Sequence, residues 1–253
     1  MTGRLVIVGL GPGAPDLLTP RAAETLRQAT DLVGYAPYLA RVPERSGQMR
    51  HISENREELA RARQALDLAA SGKSVAVMSS GDPGVFAMAS AVFEAIETGK
   101  PVWHDVEVTV VPGVSAMLAA AARAGAPIGH DFCVISLSDN LKPWEVVLQR
   151  LEAAAAADFV IVLYNPASMA RPWQLGEALA RIAHHRSGTT PVIFAHAVSQ
   201  SDEHIDITTL AETESKRADM RTLVIVGSST TKLIERGGRV FAYTPRRAEL
   251  VEP

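Results

Sequence analysis

A chain of 253 residues has room for one large domain or for two of about 100–150 residues each. Its 47% apolar and 21% charged residues are an ordinary globular balance, and 5% aromatic residues beside abundant alanine favour helices packed on sheets over an aromatic-rich β-sandwich. A net charge of −3 with no basic run argues against nucleic-acid binding; no stretch reaches the roughly 18 apolar residues that span a bilayer; the single Cys133 leaves no internal disulfide and no thiolate metal cluster. With a strand in place of a charged leader at its start, the chain is expected to be a soluble, cytoplasmic protein with no metal, nucleic-acid or membrane partner.

In chain order, RLVIVGL (4–10) reads as a strand ending in glycine. TPRAAETLRQA (19–29) reads as a helix with Thr19 as N-cap and Pro20 at its first position, and DLVGY (31–35) as a short strand. Residues 55–70 carry Leu59, Ala62, Leu66 and Ala69 at helical spacing, and Gly72 closes that helix. Strands at 74–80 and 106–111 alternate with helices at 85–96 and 115–125. The second half continues with strands at 132–137, 159–165, 191–198, 204–210 and 222–227, and helices at 143–157 and 173–185. This alternation predicts the α/β class: an N-terminal α/β domain over 1–113, a C-terminal one over 114–246 and a mobile tail over 247–253. A ligand cleft between two such domains is the expected site.

Three glycine-bearing turns follow strands. GLGPG (9–13) with Ala14 matches the dinucleotide pattern G-x-G-x-x-G/A in form. A nucleotide-binding oxidoreductase would open a helix directly from such a loop, whereas Pro12 and Pro15 stiffen this one and the next helix starts at Thr19. In SSGDPGVF (79–86), Asp82 reads either as a cap for the helix after it or as part of a ligand loop at a sheet's carboxyl edge. In PGVSAM (112–117), Ser115 reads as an N-cap rather than a nucleophile, because no G-x-S-x-G elbow surrounds it.

Elsewhere, the adjacent His184 and His185 point away from each other on a helix and do not share a metal. His130 and Asp131 suit a structural hydrogen bond. Asp139, Asn140 and Lys142 form a polar cluster that either caps a helix or faces a ligand, and Arg56, Arg61 and Arg63 suit a solvated helix face.

Taken together, GLGPGAPDLLT, SSGDPGVF and PGVSAM, in this order and spacing, resemble the tetrapyrrole methylase superfamily, class III S-adenosylmethionine-dependent methyltransferases, over roughly residues 3–246. GYAPYL (34–39), NREELARARQAL (55–66), GAPIGHDFCVISLSDNLKPW (125–144), DFVIVLYNPAS (158–168) and DMRTLVIVGSSTT (219–231) resemble the branch that methylates C(17) of precorrin-3B in cobalamin biosynthesis. The chain has Glu54 where that branch usually has Asp, and His196-Ala197 where Arg-Asn is common. The resemblance implies two α/β domains holding S-adenosylmethionine, with cofactor contacts at Pro12, Ser80, Gly81, Asp82, Val85, Ser115, Ala116, Asn165, Val198 and Thr222. It also implies methyl transfer with contraction of the macrocycle to precorrin-4, and a homodimer. His130, Asp139 and Lys142 are the candidates for proton transfer during contraction. Arg56, Arg171 and Arg246 are the candidates for the substrate's carboxylates. Sister enzymes acting on other tetrapyrroles, including cobalt-factor III, are the nearest alternatives.

Overall fold

The computed structural model describes residues 3–54, 57–214 and 217–247. The chain divides into two compact units, Met1–Ala116 and Met117–Pro253.

The first unit is a five-stranded sheet, β1 (Arg4–Gly9), β2 (Asp31–Tyr35), β3 (Met49–Ser53), β4 (Ser74–Ser79) and β5 (Glu107–Val111), in the order β3-β2-β4-β1-β5 with every pair parallel. Its inner strands β1, β2 and β4 are nearly continuous apolar runs because both of their faces are covered. Leu5 and Ile7 of β1 and Val75 and Val77 of β4 pack with Ala62, Leu66 and Ala69 of α3 (Glu58–Ala70) and Val92 of α4 (Met88–Thr98). On the opposite face, Val8, Ala76 and Met78 pack with Ala22 and Leu26 of α1 (Pro20–Gln28) and Leu39 of α2 (Ala36–Leu39). Thr19 caps α1 as expected, its Oγ1 accepting from the Ala22 amide at 3.1 Å.

The second unit pairs β7 (Phe132–Ser136), β8 (Val160–Tyr164), β9 (Pro191–His196), β10 (His204–Thr209) and β11 (Thr222–Val226) in the order β10-β9-β11-β8-β7. Val147 and Leu151 of α6 (Trp144–Ala156) and Leu175, Ala178 and Ile182 of α7 (Gln174–Ala183) cover one face. Val160, Val162, Ile193 and Ile225 on the other face are also fully buried. Helix α5 (Ala116–Ala124) leads into β6 (Gly125–Ala126), which pairs with the hairpin of β12 (Lys232–Arg236) and β13 (Arg239–Tyr243). The buried guanidinium of Arg186 ties this unit together: it donates to the carbonyls of Ala155, Phe159 (3.0 Å) and Gly227 (3.4 Å) and lies 3.1 Å from Asp158.

Several expectations need correction. α2, β3, β6, β12 and β13 lack the periodicity that marked the other elements. β3 is a mixed polar edge strand and every residue of β12 is exposed. Arg61 does not belong to a solvated face. It is 5% exposed and lies on the same buried stripe as Ala62, Ala65 and Ala69. It donates to Ser53 Oγ at 2.6 Å and to the Glu54 carbonyl at 2.7 Å. Arg63 is exposed, while Arg56 and the tail segment 248–253 lie outside the described residues.

Asp31 opens β2 with its side chain 3% exposed. Its Oδ1 lies 2.7 Å from His51 Nε2 and accepts from Lys73 Nζ at 2.9 Å, and its Oδ2 accepts from Thr30 Oγ1 at 2.9 Å. Burial alone would raise this carboxyl; the hydrogen bonds from His51, Lys73 and Thr30 outweigh it and hold the group below the usual carboxylate range. A depressed folded pKa contributes stability that is present above the unfolded value of about 3.9 and is lost as pH falls through the folded value. Asp31→Asn is therefore expected to melt below the wild type at pH 7, with the gap closing as pH is lowered below about 4. Thermal unfolding across that range checks it, and a gap independent of pH would refute the assignment.

Candidate functional site

In the first unit, β1 and β4 are neighbours, yet α1, which follows β1, and α4, which follows β4, pack on opposite faces. The chain connections leaving the two strands therefore run to opposite faces of the sheet, and the strands' carboxyl ends between them are the position where open parallel sheets bind ligands. The three glycine turns converge there. The Leu10 amide donates to the Ser79 carbonyl at 2.9 Å, and Gly11 and Gly81 exchange a pair of backbone hydrogen bonds at 3.2 and 3.0 Å. A Cβ on Gly9 would stand 2.6 Å from the Gly113 nitrogen and 2.7 Å from the Gly81 carbonyl oxygen, so no side chain fits between these backbones. Gly81 itself sits at φ +63°, in the left-handed region.

Asp82 fastens two of the turns. Its Oδ1 accepts from the Gly84 amide at 2.8 Å and its Oδ2 from the Gly113 amide at 3.1 Å. It does not cap the following helix: α4 starts only at Met88, with Ala87 at the N-cap and no side-chain cap. Each carboxylate oxygen keeps a further lone pair, so Asp82 can also accept from an amine or hydroxyl of a ligand. Pro12 and Ser115 are buried beside these turns, and Ser80, Val85 and Ala116 are half-buried. No helix opens at Gly13. A short 3-10 turn over Pro15–Leu17 intervenes before α1, so the dinucleotide fingerprint lacks the helix that would hold a pyrophosphate. Phe86 adopts φ +51°, rare for a bulky residue and most often found at functional loops.

In the second unit, β7, β8 and β9 run parallel and β11 runs against β8 and β9. The ends of the first three and the start of β11 therefore share one sheet edge. Asn165 leaves β8 at φ +53° and donates from Nδ2 to Ser136 Oγ at 2.9 Å. The buried Val198 stands between Ala197 (φ +48°) and Ser199 (φ +64°). Thr222 Oγ1 donates to Asp219 Oδ1 at 2.7 Å, and the same carboxylate oxygen lies 3.3 Å from His196 Nδ1. Arg221 grips Asp202 with two bonds of 2.7 Å and holds that carboxyl below its ordinary range.

The same edge gathers residues expected to act separately. Arg171 Nη1 donates to Asp139 Oδ1 at 2.6 Å and to Asn140 Oδ1 at 2.7 Å. The Arg171 hydrogen bond keeps the Asp139 carboxyl below the usual range. Lys142 Nζ donates to the Ser136 carbonyl at 2.9 Å, and burial lowers its ammonium pKa. His130 stands apart: it precedes β7 whereas Asp139 follows it, and a five-residue strand spans about 16 Å. Its Nδ1 is 3.6 Å from Asp131 Oδ2, too long for the expected hydrogen bond. Arg246 is exposed just beyond β13, and Arg56 lies outside the described residues. Among the described residues no cluster of His, Cys, Asp and Glu could hold a metal, and no helix is long and apolar enough to cross a membrane. The sequence reading missed Arg41 and the strained Phe86, Ala197 and Ser199. A glycine motif flags backbone conformation at glycines, but nothing local flags it at Phe or Ala.

The family model for tetrapyrrole (corrin/porphyrin) methylases matches residues 4–214. The chain is 55% identical over 247 residues to a precorrin-3B C(17)-methyltransferase of Sinorhizobium sp, covering 97% of each sequence. It superposes on the crystal structure of the methyltransferase CobJ with a TM-score of 0.92 and 48% identity, over 96% of this chain and 100% of that one. On a uroporphyrin-III C-methyl transferase from Thermus thermophilus complexed with S-adenyl homocysteine the TM-score is 0.67 at 25% identity, over 89% of this chain and 97% of that one.

If Asp82 fastens the second turn to the third, Asp82→Ala should speed amide exchange at Gly84 and Gly113 by roughly tenfold or more, the loss of a charge-assisted bond, while β1 and β4 amides keep their protection. Hydrogen exchange resolved by residue checks this; unchanged protection at Gly113 would refute it.

Proposed function

Because the chain belongs to the tetrapyrrole (corrin/porphyrin) methylases, we propose that it transfers a methyl group from S-adenosylmethionine to C(17) of precorrin-3B and contracts the macrocycle to precorrin-4. The observation that carries this reading is the 55% identity, over nearly the whole of both chains, to a precorrin-3B C(17)-methyltransferase. A homodimer in the cytoplasm is part of the same reading.

Within the first unit we assign cofactor binding to the three glycine turns: Pro12, Ser80, Gly81, Asp82, Val85, Ser115 and Ala116. The fit rests on the close backbone approach at Gly9 and Gly113, which leaves main-chain groups at the strand ends, and on the remaining acceptor capacity of Asp82. Bound there, S-adenosylmethionine supplies a methyl group already activated on a positively charged sulfur. The chain then has to orient and exclude water rather than create a nucleophile. Turns braced backbone to backbone serve that task, since their peptide groups need not reorganise. Asn165, Val198 and Thr222 of the second unit remain cofactor candidates on the resemblance.

The substrate's carboxylates call for guanidinium partners, and Arg171 and Arg246 are assigned to them. Arg171 is already oriented by Asp139 and Asn140. Contraction needs a proton moved at the rearranging ring. Asp139, kept ionised by Arg171, suits accepting a hydrogen bond from a hydroxyl and not donating a proton at neutral pH. Lys142, whose ammonium is destabilised by burial, is the better donor at that strand end, and His130 is the alternative at the other.

The deciding assay supplies the purified protein with precorrin-3B and S-adenosylmethionine and follows product mass and S-adenosylhomocysteine. One added methyl with an acetyl-bearing contracted ring is expected. Turnover of cobalt-factor III alone would overturn the substrate assignment and leave the family untouched. With precorrin-3B as substrate, Lys142→Met is expected to slow ring contraction by about 10²-fold or more while cofactor affinity stays at the wild-type level. Contraction at the normal rate would remove Lys142 from the mechanism.

A further inference from the structure

Arg41, just beyond α2, reaches back to the first glycine turn. Its Nη2 lies 2.7 Å from the Leu10 carbonyl, 3.1 Å from that of Gly11 and 3.4 Å from that of Gly13. Among the described residues it makes no ion pair, and although the residue as a whole is exposed, its guanidinium is turned onto these three carbonyls. Partial desolvation of the guanidinium pushes its pKa down.

The turn has two sides, fastened differently. Its amides at Leu10 and Gly11 are tied to Ser79 and Gly81 of the second turn. Its carbonyls at Leu10 and Gly13 have Arg41 as their hydrogen-bond partner among the described residues, and Gly11 shares its carbonyl between Gly81 and Arg41. Three carbonyl oxygens pointing at one place repel one another unless a cation sits among them. Remove it, and the peptide planes rotate to recover partners.

We propose that Arg41 is a positioning residue: by gathering the carbonyls of Leu10, Gly11 and Gly13 it sets the peptide orientation of the first glycine turn and, through it, the affinity for S-adenosylmethionine. This rests on the assignment of that turn to the cofactor. Arg41 does not enter the chemistry, and its loss shows in cofactor binding rather than in methyl transfer at saturation.

Gln48 provides the control for a merely structural role. Its Nε2 donates to the carbonyls of Leu26 and Ala29, both at 2.8 Å, at the end of α1 and away from the turn. The experiment is calorimetric titration of the full-length protein and its variants with S-adenosylhomocysteine, beside thermal melts and steady-state kinetics. Arg41→Met is expected to weaken binding about tenfold or more and to raise KM for S-adenosylmethionine with kcat largely kept. Arg41→Lys, which restores a cationic donor, should recover part of the loss. Gln48→Met should lower the melting temperature and leave affinity unchanged. Wild-type affinity in Arg41→Met overturns the proposal, as does an equal loss in Gln48→Met. If Arg41→Met does not fold, Arg41→Gln carries the test, and wild-type affinity there overturns it equally. A wild-type protein that fails to bind the probe overturns the cofactor assignment itself, an outcome separate from the other two.

Discussion

At the carboxyl ends of β4, β1 and β5, three stretches of backbone lie closer together than any side chain allows. Gly9 and Gly113 make that approach possible, Gly81 supplies the left-handed φ that turns the chain there, and most of the first unit can be understood as a means of holding it. Parallel pairing brings the three strand ends to one edge. Both sheet faces are covered, with α1 and α4 on opposite sides, so the strand ends stay between the two helix layers. Asp82 then converts proximity into a fixed arrangement by accepting one amide from its own turn and one from the turn beyond β5. A site built this way owes its shape to main-chain atoms. That suits a reaction whose difficulty lies in alignment, because main-chain groups pinned on several sides have little freedom to reorient as charge moves.

The second unit solves a related problem with charge. Its sheet edge carries paired ions in place of glycine contacts, Arg171 with Asp139 and Arg221 with Asp202, and Arg123 of α5 pairs with Glu203 just before β10. These pairs are partly exposed, so their worth lies less in stability than in orientation. Arg171 in particular is held by acceptors from one loop, which fixes the direction of its guanidinium. An arginine fixed in this way loses less side-chain entropy on meeting a carboxylate than a free one would.

Much of this was legible in the residues. Strands with strict apolar runs and helices with a clear stripe stood where their patterns put them, and Thr19 capped α1 as its position before Pro20 required. The three glycine turns, read together, pointed to the family whose model matches residues 4–214. What escaped was either pattern-free or long-range. β12 mixes Lys232, Glu235 and Arg236 with Leu233 and Ile234 on a wholly exposed strand, so neither face announces itself. Asp82 reads as either a helix cap or part of a ligand loop, because one of its partners, Gly113, is 31 residues away, and Arg41 reaches Leu10 across an equal separation. Arg61 has the composition of a surface residue, and only the stripe it shares with Ala62 and Ala65 shows that it turns inward.

The strand order β10-β9-β11-β8-β7 has a consequence for the making of the chain. β11 lies between β8 and β9, although it is the last of the five to be synthesised. Until residues 222–226 leave the ribosome, two strongly apolar strands each present an inner edge with no neighbour. Such edges are templates for pairing with other chains. Translation at about 5–20 residues per second therefore leaves a vulnerable interval of seconds between β9 and β11. The sheet of the first unit is complete by residue 111 and is not subject to that delay. Vectorial synthesis thus makes the second unit the one that depends on chaperones or on speed. A chain that ends before residue 222 lacks β11 and keeps the inner edges of β8 and β9 open.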